Sequence, residues 1–287
     1  HGGRGYVDLH QLACSNNFAI DQILFQAIRK SGTVEKVIFA SSGCIYPMFM
    51  QNDITKEVLL RESQASLIPY TGAIGTEWVN NELRPDDLNG LIQPDGLYGL
   101  AKITMEMALV EASKEKGLNS VSCRFFTVYG PRAKENHAII SFIARTFIKA
   151  DPFTVWGDGS QIRNWTHVID IVDGMLLAVD HHGFYEGYHS INLGTMEKIT
   201  VTEAISHIIS RANHNYGYEY YPTMEHQLDK PVGPLNRVAD NSKLLSYGGR
   251  EPIPFAEGVK DTLDWYFGTK DIETIRENLE RLLVARS

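Results

Sequence analysis

The chain has 287 residues, 43% of them hydrophobic, which is enough apolar material to bury a sizeable core as one large domain or as two lobes sharing a cleft. Acidic residues (35) outnumber basic ones (27) for a net charge of −8, and the interspersed signs exclude the broad basic surface of a nucleic-acid-binding protein. No run approaches the roughly 18 to 20 apolar residues of a membrane span, and the first residues lack the charged-then-apolar order of a secretion signal, so the cytoplasm is the expected compartment. Cys14, Cys44 and Cys123 are odd in number and widely scattered, which indicates neither a disulfide framework nor a zinc site.

In chain order, Gly2, Gly3 and Gly5 come first, with no strand ahead of them. Residues 17–30 pattern as a helix and 37–40 as a short buried strand. Residues 66–89, with Pro69, Gly72, Gly75 and Pro85, read as a loop holding one short helix over 78–83; long loops in compact domains are often functional, and a lid is expected here. Residues 102–116 return to a helical pattern that Gly117 is expected to stop. A second strand is expected over 121–125, and an amphipathic, charge-laced helix over 271–286. This alternation predicts an α/β fold with a parallel sheet.

The chemistry concentrates in a few blocks. Tyr98-Gly-Leu-Ala-Lys102 places a phenol and an ammonium four residues apart, on one face of a helix, where both can reach one pocket. A neighbouring ammonium favours the phenolate and is expected to lower the Tyr98 pKa, making its oxygen a usable base. Upstream, Val37-Ile-Phe-Ala-Ser-Ser-Gly-Cys-Ile-Tyr-Pro47 is a buried-type strand ending in Ser41 and Ser42, where open α/β sheets place their ligands. Downstream come Arg124-Phe-Phe-Thr-Val-Tyr-Gly-Pro-Arg132 and Trp156-Gly-Asp-Gly-Ser-Gln-Ile-Arg-Asn-Trp-Thr-His-Val-Ile-Asp170.

These four blocks, in this order, resemble the extended short-chain dehydrogenase/reductase family, in its NAD-dependent epimerase/dehydratase branch. The resemblance implies a Rossmann lobe over residues 1–123, to which 165–179 return, and a smaller α+β lobe over 124–287 that covers a nucleoside-diphosphate sugar. The Rossmann lobe is incomplete: no glycine-rich turn follows a strand, so the chain is expected to begin partway through it, as a fragment or a trimmed chain. The resemblance implies that Ser42 hydrogen-bonds the sugar hydroxyl while Tyr98 and Lys102 perform proton transfer and hold the nicotinamide ribose. It implies NAD contacts from Asn16, Ser41, Tyr98, Lys102 and Phe126, substrate contact from Gln161, and a diphosphate clamp from Arg163 and Arg237. Bidentate guanidinium suits phosphate oxygens. A homodimer through helices of the first lobe is also implied.

Within the branch, the 4,6-dehydratases carry Asp and Glu in the two positions after the serine, where this chain has Gly43 and Cys44. That departure argues against dehydration. Ser41-Ser-Gly-Cys-Ile-Tyr-Pro47 resembles the Ser-Ser-Ala-Cys-Ile-Tyr-Pro of GDP-mannose 3,5-epimerases, and Gly2-Gly3-Arg4-Gly5-Tyr6 their Gly-Gly-Met-Gly-Phe substrate loop. Oxidising C4 of a sugar acidifies the protons on C3 and C5, and a Cys44 thiolate could remove one. The resemblance aligns His137 with the opposing proton donor, a role that His can fill near neutral pH; Lys134 is close by in sequence. Arg145 stands where that pattern has a substrate-contacting Lys. Thr127 replaces an Asn that touches substrate, and Phe-Phe-Thr-Val-Tyr-Gly-Pro resembles uronate 4-epimerases instead. Three readings follow: a C3/C5 epimerase, a UDP-sugar 4-epimerase in which Cys44 only packs, and a non-catalytic binding protein that lacks the cofactor loop. Asn164-Trp-Thr166 matches a glycosylation acceptor by chance, and His10, His181 and His182 lack the carboxylate spacing of a metal site.

Overall fold

The computed structural model describes residues 4–65 and 94–284. Gly2, Gly3 and the expected loop over 66–89 lie outside the described residues.

The first half opens with three consecutive helices, α1 (Arg4–Leu9), α2 (Gln11–Cys14) and α3 (Asn16–Ser31), so the segment resembling a substrate loop is helical from Arg4 onward. Strand β1 (Lys36–Ser42), helix α4 (Gly96–Lys116) and strand β2 (Asn119–Phe125) follow. Helix α4 starts six residues before the expected 102 and therefore carries Tyr98 in its first turn. Gly117 ends it in the left-handed conformation at φ 66°, which a side chain would strain.

The second half contains β3 (Val128–Tyr129), α5 (Ala138–Phe147), β4 (Phe153–Trp156), β5 (Ile162–Arg163), β6 (Thr166–His167), α6 (Val168–Asp180) and β7 (Tyr188–Leu193). It continues through β8 (Ile199–Thr200), α7 (Val201–Tyr216), β9 (Met224–Gln227), β10 (Asn236–Arg237), α8 (Ser242–Ser246), α9 (Phe255–Thr269) and α10 (Ile272–Val284). Helix α7 begins with a reciprocal capping box between Thr200 and Glu203, which satisfies two of its orphan N–H groups.

Strands β1, β2 and β7 form a parallel three-stranded sheet. Its register aligns Ser42 with Phe125 and Phe125 with Leu193, so all three strands end on one line. On one face Phe39 packs with Phe25 of α3 and Met105 and Leu109 of α4. On the other, Val121, Cys123 and Ile191 meet Ile171 and Ala178 of α6. Burial on both faces is what makes these strands read as apolar runs. The contribution of the later half to this sheet extends past 179, because β7 is its third strand.

A separate core joins α5, α7, α9 and α10 through Ile140, Ile143, Phe153, Ile205, Phe255, Leu263 and Leu279. Beside it β10, β5 and β8 form a small sheet in which Arg237 is the register partner of Arg163. Among the described residues no helix is long and apolar enough to cross a membrane. The architecture is α/β and Rossmann-like.

Candidate active site

The sheet's C-terminal edge and the first turn of α4 build the site. After β1 the chain enters a tight turn over Gly43–Ile45, where Ser42 Oγ accepts the Cys44 N–H at 3.1 Å. Helix α4 docks on that turn through the Asp95 N–H, which donates to the Cys44 carbonyl at 2.7 Å. Gly99 makes the approach feasible, since a Cβ there would overlap the Cys44 carbonyl oxygen. Gly43 similarly leaves room for the Phe126 ring, which is buried and packs on Tyr46 with centroids 5.7 Å apart. The result is a side-chain hydrogen bond between Tyr98 and Ser42, residues far apart in sequence.

Lys102 lies one turn further along α4. Its Nζ is 3.8 Å from Asp21 Oδ2 and 4.8 Å from the centre of the Phe39 ring. Burial lowers its pKa, and Asp21 works against that shift. Tyr98 moves the other way from the sequence expectation. Burial raises its pKa, the adjacent Cys44 adds to the rise, and only the Ser42 hydrogen bond among these opposes it. Tyr98 is therefore a phenol at neutral pH in this arrangement. The lowering expected from Lys102 is outweighed because desolvation disfavours the phenolate and the ammonium is engaged by Asp21.

Behind the strand end, Ser41 Oγ donates to Glu106 Oε1. Arg124 on β2 grips the same carboxylate through Nη2 at 2.8 Å and Nε at 3.2 Å, and Tyr188 donates to Oε2 at 2.8 Å. Arg124 also donates to the Tyr46 hydroxyl at 3.2 Å, and that hydroxyl donates to Asn192 Oδ1 at 2.6 Å. A buried ion pair thus ties α4 to all three strands. Ser41 faces this network.

The thiol of Cys44 meets Arg237. Nη1 of Arg237 donates to Cys44 Sγ at 3.2 Å, Nη2 to Asp95 Oδ2 at 2.8 Å, and Nε to Gln51 Oε1 at 2.5 Å. Arg237 is only 7% exposed. The expectation that it clamps a diphosphate meets a guanidinium already satisfied inside the site, because β10 docks against the turn after β1.

The remaining expected residues are placed as follows. Asn16 is exposed on α3, while Asn17 is buried and donates to the Cys14 carbonyl at 2.8 Å; the inward face of α3 holds Asn17, Asp21 and Phe25. Arg163 is half-buried and donates to the carbonyls of Ile162 and Val232 at 2.8 and 2.9 Å. Arg145 is buried in the second lobe, donating to Thr154 Oγ1 at 3.0 Å and the Ser141 carbonyl at 3.3 Å, so it braces α5 against β4. Gln161 is buried and donates to the Trp156 carbonyl at 2.9 Å, with its Oε1 lacking a hydrogen-bond partner. Thr127 is half-buried, and its carbonyl accepts the Thr166 N–H at 2.8 Å, joining β3 to β6. His137 caps α5 at its N-terminus without a side-chain bond to the helix, and burial, reinforced by Lys134, lowers its pKa. Its ring is neutral near pH 7, which weakens it as the expected acid. Asn164 is fully buried, so the acceptor-like Asn164-Trp-Thr166 offers no surface for a glycan.

Asp95, Gln51, Asp21 and Glu106 are the polar residues that the sequence reading missed. Asp21 carried a signal, since it falls on the buried face that α3 shares with Asn17 and Phe25. Residues 74–194 match the family described as the NAD dependent epimerase/dehydratase family. The chain is 26% identical over 258 residues to "Probable GDP-L-fucose synthase 1" of Oryza sativa subsp. japonica, covering 87% of this chain and 68% of that one. It is 27% identical over 270 residues to "GDP-mannose 3,5-epimerase" of Arabidopsis thaliana, covering 92% of this chain but 62% of the relative, under two thirds of its length. Its fold is similar to the crystal structure of a Thermus thermophilus UDP-glucose 4-epimerase complex with NAD, at a TM-score of 0.65, 22% identity, and 88% and 70% coverage of the two chains.

Proposed function

We propose that this chain is the catalytic and substrate-binding part of a nucleotide-sugar epimerase that oxidises C4 of a nucleoside-diphosphate sugar transiently and inverts C3, C5 or both. The observation that carries this reading is the hydrogen bond between Tyr98 and Ser42 with the Cys44 thiol in the same turn. The similarity to the Arabidopsis 3,5-epimerase supports it.

The donor set fits NAD at its nicotinamide-ribose end. Lys102 Nζ and Tyr98 Oη supply donors, and Asp21 Oδ2 is a buried carboxylate oxygen with no hydrogen-bond partner, a combination matched to vicinal hydroxyls. NAD, when bound, supplies reversible oxidation and reduction at C4. Ser42 Oγ orients the C4 hydroxyl, and its proton passes by way of Ser42 to Tyr98 Oη after the phenol has released its own proton to solvent. Lys102, released from Asp21, offsets the charge on that oxygen. With C4 a ketone, a Cys44 thiolate takes a proton from the adjacent carbon, and a protonated donor on the opposite face of the ring completes inversion; the Lys134 ammonium, or His137 once it has taken up a proton, fills that place. Arg163 and Gln161 line the substrate side. The enzyme acts in the cytoplasm as a homodimer.

Net redox change is zero, so the test is conversion of a nucleotide sugar to its epimer, followed by NMR, without stoichiometric change in nicotinamide absorbance. A lasting absorbance change would mark a net dehydrogenase. The segment Phe125-Phe126-Thr127 favours a second reading, a UDP-sugar 4-epimerase, in which Cys44→Ala retains near-normal turnover. A chain that binds nucleotide sugar and converts none would be the non-catalytic protein.

A further inference from the structure

Cys44 alone would be an unremarkable half-buried thiol. Its surroundings are not ordinary. Asp95 and Arg237 are both buried and ion-paired, with Nη2 of Arg237 at 2.8 Å from Asp95 Oδ2. A buried pair of this kind recovers its desolvation cost only when its geometry is good and its remaining donors are met. Here Gln51 Oε1 meets Nε at 2.5 Å, and Cys44 Sγ lies 3.2 Å from Nη1. The guanidinium is planar and rigid, so fixing Nε and Nη2 fixes the direction in which Nη1 points.

We infer that Asp95 and Arg237 act as positioning residues that hold the Cys44 thiol in the direction from which it works on the sugar. This rests on the epimerase reading. Asp95 lies three residues before Tyr98, and its N–H also holds the Cys44 carbonyl at 2.7 Å. One residue thus sets the sulfur, through Arg237, and the start of the helix that carries Tyr98. A guanidinium N–H aimed at sulfur is matched to negative charge there, as develops when a thiol has given up its proton. The same bonds engage all three guanidinium nitrogens of Arg237, with Met48 Sδ a further partner of Nη2 at 3.7 Å.

The test is alkylation of Cys44 by iodoacetamide in the full-length protein at pH 7, read by peptide mass spectrometry. Cys14 and Cys123, each fully buried, serve as internal controls. Arg237→Gln is expected to slow Cys44 alkylation about tenfold or more, the effect of losing one hydrogen bond to a charged partner. Should burying an uncompensated Asp95 prevent folding, the charge-neutral double variant Asp95→Asn/Arg237→Gln carries the same expectation. A rate unchanged or raised would overturn the inference, showing that the guanidinium only covers the sulfur. Arg237→Lys is expected to retain C4 oxidation while losing about tenfold or more of the solvent-deuterium exchange at C3 or C5. A rise in KM for nucleotide sugar with exchange and alkylation intact would return Arg237 to the diphosphate and also overturn the inference. Alkylation needs no turnover, so slowed alkylation in a protein that exchanges no deuterium would leave the positioning standing and the epimerase reading refuted.

Discussion

Gly99 lies against the Cys44 carbonyl so closely that a single added methyl would overlap it. The helix bearing Tyr98 and the turn bearing Ser42 and Cys44 therefore share one contact surface, and the spacing of the site depends on a residue with no side chain. Gly99→Ala is expected to lower turnover about 100-fold or more, because displacing reacting groups by around 1 Å has that scale of effect. Far-UV circular dichroism should remain unchanged, since Ala favours a helix more than Gly does. Near-normal turnover in a folded variant would show that the contact does not set the site.

The Glu106–Arg124 pair is expected to dominate the stability of the first lobe. Its side chains are 0% and 3% exposed, and it links α4 to β2 while holding Ser41 and Tyr188. Glu106→Ala leaves Arg124 charged and buried, which should cost about 3–5 kcal/mol. Urea denaturation checks this through a lowered midpoint at unchanged slope. A loss under about 1 kcal/mol would mean that water reaches the pair as it does at surface ion pairs.

Acidification should weaken the fold through two histidines. Burial lowers the pKa of His137 and of His167 from 6.5, with Asp170 opposing the shift at His167. Above the ordinary value both folded and unfolded chains carry neutral rings. As pH falls below it, the unfolded chain takes up protons that the folded chain resists, so stability falls until the folded rings protonate in turn. The slope approaches about 1.4 kcal/mol per pH unit for each histidine. His137→Asn should remove one such contribution, measured as a flatter dependence of unfolding free energy on pH below 6.5; an unchanged slope would place that ring in water.

How much of this was legible in the sequence depends on the range of the interaction. The alternation of apolar strand and helix, the stop at Gly117, and a strand ending in Ser41 and Ser42 follow from local pattern and strand-end geometry, whereas the pairing of Ser42 with Tyr98 is implied only by the family resemblance. Boundaries were less visible: the first turn of α4, Gly96 to Tyr98, has two glycines on its flanks and little helical propensity of its own, and it is held by docking on Cys44. Partners across the fold were not visible at all. Arg237 meets Asp95 and Cys44 over separations of 142 and 193 residues, set by how β10 docks against the turn after β1. The same applies to Lys102 and Asp21. A sequence motif can name groups that converge, but the acceptor that captures each charge is decided by tertiary packing, and here it raises the Tyr98 pKa where the motif alone implied the reverse.

The most direct test of the central claim is solvent-deuterium exchange. The full-length protein is incubated with NAD and a GDP- or UDP-hexose in deuterated buffer, and the sugar is read by NMR. The account predicts deuterium at C3 or C5 in the wild type, lost about 100-fold or more in Cys44→Ala while C4 oxidation persists, the scale associated with removing a general base. Epimerisation with no carbon-bound deuterium, and with Cys44→Ala near normal, would contradict it.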